Sequence, residues 1–220
     1  MEKSHAVVIR LQYPDCPEFE WRLAFFRTMV LPRLLNQSDD NFDIVILCND
    51  IHKHRIEQLS GKIKTFMADT KSYYAGNLHE QRTSSSRSVA PFDHQLPYTI
   101  QTRLDSDDLV SHDFIKIINQ EFKDCTSPKL LAFRPYKFDV KTLKIYENNV
   151  PEPERKYTMF LSLYHPHCLF IYKHGHRSLA DVIERSGGSV KVIDYGHCFL
   201  TLHNHNASSK IQPYDNKINW

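Results

Sequence analysis

The chain has 220 residues, with 28 Lys and Arg against 26 Asp and Glu, a formal net charge of +2. A dedicated nucleic-acid binder would show a basic excess gathered on one face, so that class is set aside. No apolar run approaches the ~18 residues needed to cross a bilayer, and six glycines leave no P-loop or GxGxxG cradle for phosphate. The length suits one well-cored domain over residues 1–220. Five widely spaced cysteines read as reduced thiols of a cytoplasmic protein. Met1 to His5 lacks a signal peptide's apolar region, so the sequons at Asn36 and Asn206 are read as chance.

Ala6 to Ile9 is a short apolar run that predicts a buried strand, with Arg10 at its end. Ligands bind at the C-terminal edge of parallel sheets, which makes Arg10 a candidate contact for a nucleotide. Glu18 to Leu35 reads as a helix, since Phe19, Leu23, Phe26, Val30 and Leu34 form one apolar stripe. Pro32 should kink or restart it. Phe42 to Cys48 is the strongest strand, a continuous apolar run fit for a central parallel position. Asp50 follows at its C-terminal edge, either as a ligand contact or as a helix cap. Residues 52–60 read as helical and Lys62 to Met67 as a third strand. This alternation implies right-handed crossovers and an α/β fold with a mainly parallel sheet.

Gln81 to Ser88 is polar and Ser-rich, and it carries Arg82 and Arg87. It reads either as a surface loop or as a flap whose arginines meet a diphosphate through the bidentate guanidinium fork. Leu96 to Leu104 predicts another strand, and Ser111 is placed to cap a helix over residues 112–122. Between them lies Arg103-Leu-Asp105-Ser-Asp107-Asp108, with three carboxylates in four residues on the turn leaving the strand. Two unit charges ~5 Å apart repel by about 3 kcal/mol at an effective dielectric of ~20. A turn that crowds three of them has reason to hold a cation, although an Asp-rich solvated turn is the plainer alternative. Arg103 is placed either to meet a donor or to partner these carboxylates.

The second half predicts strands at 129–134 and 136–146 as a hairpin or an extension of the sheet, then a loop over 148–154. A further strand is expected at His167 to Tyr172. A short helix over Ser178 to Arg185 is stopped by Gly187-Gly188, and strands follow at Val190 to Ile193 and Cys198 to Leu202.

The acidic stretch resembles the DxD signature of glycosyltransferases with the GT-A fold. Arg10-Leu-Gln-Tyr, Phe19-Glu-Trp-Arg-Leu leading into Leu31-Pro-Arg-Leu-Leu-Asn-Gln, and His203-Asn-His-Asn-Ala-Ser extend the likeness to a bacterial rhamnosyltransferase-like family over about residues 6 to 208. The resemblance implies a GT-A-like fold, with residues 1–110 binding the nucleotide-sugar and 111–220 shaping the acceptor site. It implies that Asp105 meets ribose or metal, that Asp107 ligates a divalent cation (Mn2+ or Mg2+), and that His203 completes the sphere. Asp108 would support the turn or reach the donor sugar, and Asp50 would read the base. An inverting transfer to a glycan or lipid-linked glycan needs a base within hydrogen-bond reach of the acceptor hydroxyl. Asp194 is the first candidate, with Glu184 and Glu154 behind it. The resemblance is compatible with a cytoplasmic enzyme working at the membrane face.

Four rivals stand beside this reading. Thirteen histidines invite a zinc site, but no CxxC or HExxH spacing occurs. An EF-hand starting at Asp105 fails, because Val110 replaces the glycine and Lys116 the bidentate Glu. A metal-dependent nucleotide-sugar hydrolase or phosphatase, and a non-catalytic module binding nucleotide or glycan, remain as other classes.

Overall fold

The computed structural model describes residues 4–11, 17–67, 96–194 and 196–202. Among the described residues its main sheet has seven strands, in which β1 (His5–Leu11) lies between β2 (Asp43–Cys48) and β4 (Ile100–Asp105), the middle strand. β3 (Ile63–Met67) flanks β2, and these four strands run parallel. β9 (Leu161–Tyr164) pairs antiparallel with both β4 and β6 (Lys129–Phe133), and β10 (Ser189–Ile193) pairs parallel with β6 at the far edge. β9 is therefore the one reversed strand, and the C-terminal ends of the other six share one edge. A GT-A-like α/β architecture results, with a mainly parallel sheet.

A second, four-stranded sheet is ordered β5 (Leu109–Val110), β11 (Cys198–Leu202), β7 (Tyr136–Asp139), β8 (Lys144–Tyr146). The two predicted strands at 129–146 thus separate: β6 joins the main sheet, and only β7 and β8 form a hairpin.

Period-two alternation assigns the two faces of the main sheet. Val7, Ile9, Leu11, Ile44 and Ile46 face one core, with Phe19 and Phe26 of the first long helix and Phe114 and Phe122 of α4 (Phe114–Phe122). Burying each such side chain contributes roughly 1.5–3 kcal/mol. Ala6, Val8, Val45 and Leu47 face the other core, against Phe170, Tyr172 and α5 (His176–Arg185). Asn119 of α4 meets His5, which also bonds Thr102, and Thr102 bonds Ser162. This buried polar chain ties α4, β1, β4 and β9 together.

The first helix runs as α1 (Pro17–Phe25), one π turn (Phe26–Val30) and α2 (Leu31–Leu35). Pro32 acts here by a widened turn rather than a break. The Leu31 N–H reaches back to the Phe26 carbonyl, so the disruption is taken up just ahead of the proline. α3 (Lys53–Glu57) is shorter than expected and follows a 3-10 turn, Asp50–His52.

Two local expectations are corrected. Residues 167–172 are not a strand. The Ile171 N–H is taken by the Gln101 side chain at 3.1 Å, and the segment plugs the second core with Phe170, Ile171 and Tyr172. Ser111 does not cap α4, because the N-cap position falls at Asp113 and the Ser111 hydroxyl accepts no helix N–H. Gln37 supplies that cap from α2's end, accepting the Ile115 N–H at 3.0 Å while donating to the Ser111 carbonyl at 2.7 Å. Among the described residues no helix is long and apolar enough to cross a membrane.

Candidate active site

The acidic turn begins where β4 ends. The Asp108 N–H donates to the Asp105 carbonyl at 3.2 Å and closes a four-residue turn. β5 then pairs antiparallel with β11, which draws Thr201 against the turn. The Thr201 N–H donates to Asp108 Oδ1 at 3.1 Å, and its hydroxyl donates to the Asp107 carbonyl. The turn is clamped to the second sheet.

The three carboxylates have different surroundings. Asp105 is the most open, its side chain 28% exposed, with Arg103 Nη2 at 3.6 Å. Asp107 is buried and pairs through Oδ2 with Arg22 Nη1 at 3.1 Å. Asp108 is buried deeper. Burial, then repulsion from Asp107 and Asp105, pushes its carboxyl well above the usual range, against the Thr201 N–H bond. Its place in the turn is that of a support for β11.

Arg10 and Asp105 are register partners across the β1–β4 pair and point to the same face as Arg103. Beneath them lies the Tyr172 ring, 5.5 Å from the Arg10 guanidinium carbon and 4.8 Å from that of Arg103. The Tyr172 hydroxyl donates to the Val8 carbonyl at 3.2 Å, which fixes the ring under the sheet edge. Two guanidiniums that both approach one aromatic ring are held in place by cation–π attraction. The edge thus presents two fixed cations beside one open carboxylate.

Asp50 is exposed in the first turn after β2, two strands from β4, or roughly 10 Å at the usual strand spacing. Asp194 directly follows β10 at the same C-terminal edge, three strands from β4, or roughly 14 Å. It is 86% exposed and accepts a 2.9 Å bond from Arg134 Nη1. Glu184 is bridged to Lys156 at 2.7 Å, and Glu154 lines a separate cavity. Arg82 and His203 lie outside the described residues, as do Arg87 and Asn206. Among the described residues no three His, Cys, Asp or Glu side chains gather as a metal site.

Sequence reasoning missed Arg22 and Tyr172. Arg22 had a signal, because it stands three residues after Phe19 on the stripe that faces the core. A cation there needs a buried anion. Tyr172 had none, since it read as one residue of an apolar strand.

An acidic turn at the C-terminal end of a central parallel strand, in a sheet of this order, is the arrangement of a GT-A-like fold. The chain belongs to the family described as "putative rhamnosyl transferase", which matches residues 10–215. Among solved structures, S. aureus TarS 1–349 matches with a TM-score of 0.51 at 15% identity, over 90% of this chain and 60% of that one. The same TarS segment in complex with UDP-GlcNAc matches with a TM-score of 0.50 at 12% identity, over 96% and 62%. The likeness at this identity is one of fold, and this chain spans between 37% and 62% of the TarS chains it matches. No curated protein matches the sequence.

Proposed function

We propose that this chain transfers a sugar from a nucleoside-diphosphate donor to a hydroxyl of a glycan acceptor, with inversion at the anomeric carbon. The observation that carries this reading is the β1–β4 edge, where Arg10 and Arg103 stand on Tyr172 beside the open carboxylate of Asp105. Diphosphate is the leaving group, so charge gathers on its oxygens as the glycosidic bond breaks. Fixed guanidiniums stabilise that charge without reorganising during the reaction. Asp50 lies on the β2 side of this edge, suited to the base, and Asp194 on the β10 side, suited to the acceptor.

The donor set at the turn is all carboxylate oxygen, which suits a hard divalent cation such as Mg2+ or Mn2+. Asp105 would hold it, with Asp107 shared between the cation and Arg22, and His203 proposed as the third ligand. Such a cation would neutralise developing diphosphate charge as a Lewis acid. Asp194 is proposed to take the proton of the acceptor hydroxyl.

Calorimetric titration of UDP, GDP and dTDP, each with Mn2+ or with EDTA, tests this site on the wild type and on Asp105→Asn. Metal-dependent binding of one nucleotide, weakened at least tenfold in the variant, is expected. Binding of none of the three would remove the donor reading. The donor sugar follows from a transfer assay with the nucleotide so identified. UDP-GlcNAc, the ligand of the TarS complex, is the first donor to try.

A further inference from the structure

Away from the acidic turn, a cavity of about 230 Å³ opens between the β6–β7 connection, the 148–160 segment and β11. That volume falls just below the ~300–1,000 Å³ of drug-sized ligand pockets, which leaves room for one ring rather than an oligosaccharide. Tyr157, Met159 and Leu200 give it an apolar wall, while Arg134, Arg155 and Glu154 supply its charge.

The distribution of that charge is uneven. The guanidiniums are sheltered, with the Arg134 side chain 14% exposed and Arg155 30%, while their partners Asp194 and Glu152 are 86% and 78% exposed. Glu154 is exposed as well. Water screens exposed charges far more than buried ones, so the two sheltered guanidiniums bias the cavity toward an anion.

The cavity also connects to both ends of the chemistry. Arg134 follows β6 and holds Asp194, while Leu200 precedes Thr201, which clamps the acidic turn. Leu200 and Thr201 point to opposite faces of β11, so the cavity backs onto the turn through one strand.

We propose that this cavity is the acceptor subsite and takes a single sugar-sized group bearing a phosphate or carboxylate, whose anion replaces Asp194 on Arg134. The assignment of the group as acceptor rests on the transferase reading; the anion site itself does not. The exchange does two things at once. It places an anionic acceptor against a sheltered guanidinium of the cavity, and it releases Asp194 from its ion pair to accept a proton. Arg134 is thus a positioning residue acting through Asp194.

Ligand-detected NMR titration of the full chain with glucose 6-phosphate, glucuronate and glucose tests this directly. At least one anionic sugar is expected to bind about tenfold more tightly than glucose, and the phosphate and carboxylate arms show which anion the fork prefers. Arg134→Gln should abolish that preference while leaving UDP binding unchanged. Asp194→Asn removes the internal competitor and should tighten the anionic sugar about two- to fivefold, the scale of an exposed ion pair. Asp194 is too exposed for this variant to unfold the chain. Equal binding of glucose, or weaker anion binding in Asp194→Asn, overturns the proposal. Loss of UDP binding in the wild type, with the anion preference intact, removes the donor site and leaves the anion cavity standing.

Discussion

The Arg22–Asp107 pair is a buried bridge whose two side chains are 11% and 7% exposed. It matters less for net stabilisation than for the penalty incurred when one partner is lost. Arg22→Met should destabilise the fold by about 3 kcal/mol, because Asp107 is left as a buried charge on a turn already carrying two more. Arg22→Met combined with Asp107→Leu should recover most of that loss, as well-packed apolar replacements of buried pairs do. Urea denaturation of the three variants checks it, and additive losses would show that the two residues do not act together. Asp108 gives the opposite sign. Asn keeps an oxygen for the Thr201 N–H and removes the repulsion from Asp107 and Asp105, so Asp108→Asn should hold or raise stability at neutral pH. Asp108→Ala leaves that N–H unpaired and should cost about 1–3 kcal/mol.

Among the elements, the strands with continuous apolar runs were legible because burial on both faces leaves no other reading. Asp43–Cys48 is one, and the acidic turn was equally legible because repulsion between close carboxylates demands an explanation. The 167–172 segment misled for a related reason. A six-residue apolar run is the same signal whether it pairs as a strand or fills a core, and only the distant Gln101 decides between them. Ser111 misled for its own reason, since α4 starts at Phe114 and the distant Gln37 accepts the Ile115 N–H. The turn between α5 and β10 shows the reverse case, legible and rigidly enforced. Gly187 has φ +81, and a Cβ on Gly188 would stand 2.6 Å from the Pro128 carbonyl oxygen and 2.7 Å from Ile183 Cγ2. Gly188→Ala must therefore push α5 off the sheet and should cost about 1–3 kcal/mol, read from thermal or urea unfolding.

The buried chain from Asn119 through His5 and Thr102 to Ser162 makes the pH response of the sheet predictable. Burial lowers the His5 imidazole to about 4, against an ordinary value near 6.5, and the Asn119 bond and the Asp39 charge only partly oppose this. The unfolded chain therefore binds the extra proton between these two values. The His5 contribution is full above pH 6.5 and is lost as pH falls toward 4, by about 3 kcal/mol at the lower limit. Asp108 acts in the other direction, since its raised carboxyl favours the fold at low pH and less so as pH rises. Comparing the pH dependence of urea midpoints for wild type and His5→Asn isolates the first effect, because only the variant should lose the slope between pH 6.5 and 4. An unchanged slope would mean that the acid sensitivity arises elsewhere.

At the scale of the molecule, the link between the two sheets matters most for the proposed function, because the proposed donor edge belongs to one and the cavity abuts the other. They meet at Thr201, which donates its N–H to Asp108 and its hydroxyl to the Asp107 carbonyl. Thr201 is fully buried, so both bonds are shielded from water. The pairing of the second sheet was not readable from local pattern, since β11 joins β5 and β7 across long stretches of chain. The single strand β11 therefore carries the registration of the acidic turn relative to the second sheet. Thr201→Val keeps the shape and the backbone bond but removes the hydroxyl, and should cost about 1–2 kcal/mol of stability. If the clamp also positions the turn for ligand, nucleotide binding with Mn2+ should weaken by several-fold, on the order of the same free energy. Calorimetric titration of the variant, run well below its unfolding temperature, separates the two effects. Unaltered nucleotide affinity beside the stability loss would show that the turn holds its ligand-binding geometry without β11, and that the two halves of the site work independently.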